Sequence, residues 1–60
     1  MPWDRPELSG WDIIGMNHYS LAGERRLFVA MVRGKNWIRS EGPDEEQVFN
    51  DLAQQADHLS

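Results

Sequence analysis

Three features of this 60-residue chain predict an α+β fold in the order strand, strand, strand, helix. Leu27 to Val32 is an unbroken apolar run between Arg25-Arg26 and Arg33-Gly34-Lys35, the pattern of a strand buried on both faces. Val48, Phe49, Leu52, Ala53, Ala56 and Leu59 recur at helical spacing behind a Gly-Pro-Asp start. Trp11 to Tyr19 alternates as a half-buried strand does. Together they predict a three-stranded antiparallel sheet with one C-terminal helix packed on one face, over residues 11–60.

Residues 1–10 carry two prolines, a glycine and a serine, which predict an irregular N-terminal arm. Its Trp3 and Leu8 are the side chains able to fold back on the domain. Gly15 weakens the first strand's interior and marks a bulge or a close backbone approach. Ala22-Gly23 is the expected hairpin tip, and Gly34-Lys35 fits a type II′ turn with glycine first. A short third strand then runs from Asn36 to Ser40. Pro43 suits a first helical turn, and Asp44, Glu45 and Glu46 favour the positive end of the helix dipole. Asp44 and Gln47 have capping-box spacing.

Opposed residues in a hairpin share a face, so the two turns sort the side chains. Pairing about Gly34-Lys35 sets Val32 against Trp37, Met31 against Ile38 and Ala30 against Arg39. Pairing about Ala22-Gly23 sets His18 against Leu27, Met16 against Val29 and Ile14 against Met31. One face collects Ile14, Met16, Leu27, Val29, Met31 and Ile38; it is aliphatic, matches the helix stripe and is assigned to the core. The other collects Trp11, Ile13, Asn17, Tyr19, Arg26, Phe28, Ala30, Val32, Trp37 and Arg39. One helix cannot cover both.

Composition narrows the function. With no cysteine, neither a disulfide nor a thiolate metal site supports the chain, and two histidines far apart do not make a zinc site. Met1 to Glu7 lacks the basic front and apolar run of a signal peptide, and the longest apolar run is too short for a membrane span, so a cytoplasmic protein is expected. The net charge of −4 conceals a division. Five basic and no acidic residues lie between Arg25 and Arg39, and six acidic and no basic ones follow from Glu41 onward.

No constellation predicts catalysis. His18, Asp12 and Ser20 are the residue types of a triad, but a nucleophile needs a base in hydrogen-bond reach and a third group to orient it. His58 reads as a solvated residue near the helix end. Asp44-Glu45-Glu46 lacks the alternating oxygen ligands and central glycine of a calcium loop, and Gly34-Lys35 lacks the rest of a phosphate-binding loop. No catalytic residue, cofactor or metal is therefore assigned.

Residues 25–56, a basic strand, a Gly-Lys turn, a third strand and a Glu-Glu helix start, are similar in order to the small DNA-binding domains of the AP2 type and of tyrosine-integrase amino-terminal arms. That resemblance implies a sheet face lying in the major groove. Here the face would present Phe28, Ala30 and Val32, where those domains present polar or basic groups.

The expectation is a small non-enzymatic protein-protein interaction or regulatory module, with a protein partner or a second copy of itself on the aromatic face. Its expected partner-binding residues are Trp11, Asn17, Tyr19, Arg26, Phe28, Trp37 and Arg39. The alternatives are a nucleic-acid-binding domain using the basic hairpin and the same face, or an acidic helix that imitates nucleic acid.

Overall fold

The computed structural model describes residues 5–59. Trp3, one of the two side chains expected to fold back on the domain, lies outside the described residues. A turn of 3-10 helix, Pro6–Leu8, precedes three strands, β1 (Asp12–Leu21), β2 (Glu24–Arg33) and β3 (Asn36–Gly42), and one helix, α1 (Glu45–His58). The strands form one antiparallel sheet in the order β1-β2-β3, with the apolar run in the centre. The chain has the expected α+β fold.

The turn chemistry fixes both hairpins. Ala22 and Gly23 both have positive φ, 52° and 80°, as a type I′ turn requires, and Gly34 at 60° starts the second turn. The pairs Val32–Trp37, Met31–Ile38 and Ala30–Arg39 form as the sequence predicts, and so do His18–Leu27 and Met16–Val29.

The register departs at one point. β1 carries a bulge between Ile13 and Gly15, so Ile13 rather than Ile14 opposes Met31. One extra residue moves every residue before it to the opposite face. Trp11, expected on the second face, therefore turns to the helix side and is buried, 7% exposed. The turn at Pro6–Leu8 directs Leu8 to the same place, helped by bonds from the Trp11 N–H to the Leu8 carbonyl (3.1 Å) and the Leu8 N–H to the Arg5 carbonyl (3.0 Å). The Arg33 guanidinium lies 4.8 Å from the centre of the Trp11 ring, a cation–π contact.

The helix starts as its sequence directs. Asp44 is the N-cap and its Oδ1 accepts from the Glu46 N–H at 3.1 Å. Val48, Phe49, Leu52, Ala53 and Ala56 face inward, while Leu59 at the C-cap stays exposed. They close a core with Leu8, Trp11, Leu27, Val29, Met31 and Ile38. Each large side chain there contributes about 1.5–3 kcal/mol on burial.

The helix packs on β2, β3 and the Pro6–Leu8 turn and does not reach β1. Two residues assigned to the core by alternation are accordingly outside it: Ile14, displaced by the bulge, is 49% exposed, and Met16, on the uncovered strand, is 44% exposed.

Two outcomes follow for stability. Phe49 is fully buried beneath the sheet, so Phe49→Ala should cost about 3–5 kcal/mol and abolish the cooperative thermal transition seen by circular dichroism. Ala22 holds a left-handed conformation that disfavours a side chain with Cβ by about 1–2 kcal/mol and is tolerated better by asparagine. Ala22→Asn should therefore raise the midpoint of thermal unfolding.

Candidate functional site

The face of the sheet opposite α1 has no element packed on it among the described residues. The register places on it Asn17, Tyr19 and Leu21 from β1, Glu24, Arg26, Phe28, Ala30 and Val32 from β2, and Trp37, Arg39 and Glu41 from β3. Six of the seven residues expected to bind a partner are thus brought to one surface. The seventh, Trp11, is part of the core instead.

The surface has two halves. At the Ala22-Gly23 end a polar chain crosses all three strands. The Arg26 guanidinium donates to Glu24 Oε1 at 2.8 Å and through Nε to the Tyr19 hydroxyl at 3.2 Å, and that hydroxyl donates to Glu41 Oε2 at 3.0 Å. The bond to Tyr19, and then the one to Glu24, raise the Arg26 pKa above its already high ordinary value. Arg26 is therefore engaged within the chain, where the sequence suggested a group free for a partner. Glu24 and Glu41 were not among the expected site residues; the pairing of Tyr19 with Arg26 across the hairpin is the signal that points to them.

Towards the Gly34-Lys35 end the surface is apolar. The Phe28 ring leans over Gly15, its Cε1 4.0 Å from where a Cβ would stand, and Phe28, Ala30 and Val32 are half-buried. Trp37 is 71% exposed. It borders two shallow cavities at the β3 edge. One, of about 400 Å³, is lined by Phe28, Ala30, Ile38, Arg39 and Gln55; the other, of about 430 Å³, lies against the last turns of α1 at Asp51, Gln55 and His58. Gln55 Nε2 donates to the Arg39 carbonyl at 2.7 Å and to Asp51 Oδ2 at 3.1 Å, which ties the β3 edge to the helix.

The residues of the possible triad are not brought together. Asp12 pairs with Val32 on the open face, whereas His18 pairs with Leu27 on the helix side. Six residue steps along the strand also separate them, roughly 20 Å at 3.3–3.4 Å each. Among the described residues no three His, Cys, Asp or Glu side chains group as metal ligands, and no helix is long and apolar enough to cross a membrane.

Fold and surface together define a small three-stranded α+β module with an open sheet face. No family model, curated protein or solved structure matches the chain.

Removing the central hydroxyl tests the polar chain. Tyr19→Phe should leave the Arg26–Glu24 pair in place and cost less than about 1 kcal/mol, since these groups remain near water. The sensitive readout is the Arg26 Nε proton, whose exchange with solvent, followed by NMR, should quicken.

Proposed function

We propose that this chain is a non-enzymatic protein-interaction module whose open sheet face binds a protein partner, with Trp37 as the anchor and Phe28, Ala30, Val32 and Arg39 around it. The observation that carries the reading is the exposure of Trp37 between two cavities, at the edge of an apolar surface that nothing in the described chain covers. An exposed tryptophan beside an arginine is the composition enriched at the energetic centres of interfaces. The polar chain through Tyr19 and Arg26 supports the same reading. It forms a hydrogen-bonded border to the apolar half, much as an interface core is bordered by polar groups.

A nucleic-acid role has less support. Arg26 and Arg39 share the face with Glu24 and Glu41, and Arg33 stacks on Trp11 on the other side. Phosphate binding needs unopposed positive charge.

The test is affinity capture from the native host followed by titration of the purified partner. Trp37→Ala removes a side chain outside the core, so it should leave folding unchanged while weakening binding by about thirtyfold or more. A partner bound equally well by Trp37→Ala and Phe28→Ser would refute the assignment. Salt-sensitive retardation of single- or double-stranded nucleic acid, abolished by Arg39→Ala, would establish the nucleic-acid reading in its place.

A further inference from the structure

The two edges of the sheet differ. β3 is short, carries Arg39 and Glu41, and has its Arg39 carbonyl occupied by Gln55 from the helix. Charge, brevity and cover are the usual protections of a sheet edge. β1 is ten residues long, and no strand among the described residues lies along its outer side. Alternate residues of such a strand direct their N–H and C=O groups outward. Its bulge disturbs only the start, leaving Gly15 to Leu21 regular, without a charged residue or a proline. The helix does not reach β1, so side chains on both of its faces are open to water, including Met16 on the helix side and Leu21, 59% exposed, on the other.

We infer that β1 is a self-pairing edge: two copies of the chain join antiparallel along Gly15 to Leu21 about a two-fold axis at His18, forming one six-stranded sheet. An edge that meets its own copy must be self-complementary. An uncharged strand satisfies this without like-charge repulsion, and an antiparallel strand pair places N–H against C=O throughout. Centring the axis on His18 uses the whole regular run and stops short of the bulge.

Shape favours the same register. It sets Leu21 opposite Gly15 of the partner subunit, on the face where the Phe28 ring leans over that glycine. The most exposed aliphatic side chain of β1 thus meets a position without a side chain, beside an aromatic ring. Met16 opposes Ser20 of the partner subunit, and Asn17 opposes Tyr19 of the partner subunit. Since the two-fold axis is perpendicular to the sheet, both helices fall on one side and the two open faces merge on the other. This pairing uses the edge, so it stands or falls independently of the Trp37 surface.

Sedimentation equilibrium of the full chain should give a concentration-dependent mass approaching twice 7.0 kDa. His18→Lys places two like charges at the axis from a position that is exposed in the single chain, and should raise the dissociation constant about tenfold or more. Leu21→Ser should weaken pairing in the same direction, while Trp37→Ala should leave it unchanged. Because the chain has no cysteine, single replacements report the register directly. Under mild oxidation His18→Cys should cross-link to its copy faster than Asn17→Cys or Ser20→Cys. A chain that stays monomeric at millimolar concentration overturns the inference. So does a dimer broken by Trp37→Ala but not by His18→Lys, or equal cross-linking at all three positions.

Discussion

The width of a helix governs this molecule. An α-helix with its side chains is about 10 Å across and neighbouring strands lie about 4.8 Å apart, so one helix covers about two strands. Here α1 covers β2 and β3, and the hooked segment through Leu8 and Trp11 extends the core at one end. β1 falls outside that reach, and among the described residues no second element covers the far face. Both exposed apolar regions, the edge at β1 and the surface around Trp37, arise from this one shortage of cover. Neither is a random scatter of apolar side chains over an otherwise polar surface.

Much of the fold was legible because its signals are local. The turn residues at Ala22-Gly23 and Gly34-Lys35 fix the hairpins, the Gly-Pro-Asp start fixes the helix, and the alternation in β2 and β3 fixes which residues meet. The error at Trp11 has a definite source. Gly15 pointed to a bulge, but a bulge must be placed to the residue before its effect can be carried backwards, and strict alternation sent Trp11 to the wrong face. Met16 failed for a different reason. Its register was correct, but a face is not a core, and nothing in a strand pattern states how far across the sheet a helix will lie. The site was legible to a similar depth: Phe28, Trp37 and Arg39 follow from pairing alone, whereas the capture of Arg26 by Glu24 and Tyr19 depends on side-chain geometry.

The hairpin tip shows a compromise between sequence and turn. A type I′ turn asks for positive φ at both central residues, and asparagine or glycine is the usual first choice. Alanine accepts that conformation here because the flanking pairs, Leu21–Glu24 and Ser20–Arg25, continue into a long ladder that holds it there. The strain is local and compatible with the register, so it does not loosen the pairing that sets the two faces.

The charge pattern along the chain suggests a basic hairpin opposed by an acidic helix, yet the folded arrangement removes much of that contrast. Arg26 lies between Glu24 and Tyr19, Tyr19 joins it to Glu41, and Arg33 is turned to the helix side over Trp11. On the open face, the arginine with no polar partner for its side chain among the described residues is Arg39, beside Phe28 and Trp37. A surface built this way has little long-range pull on a polyanion, because its charges cancel within a Debye length, about 8 Å at physiological ionic strength. On the proposed reading, discrimination comes at contact, from one planar cation and the adjoining aromatic rings of the sheet. If the face binds as proposed, such a combination would select a partner by shape and a single well-placed acidic group, which is how a protein surface is read and a phosphate backbone is not.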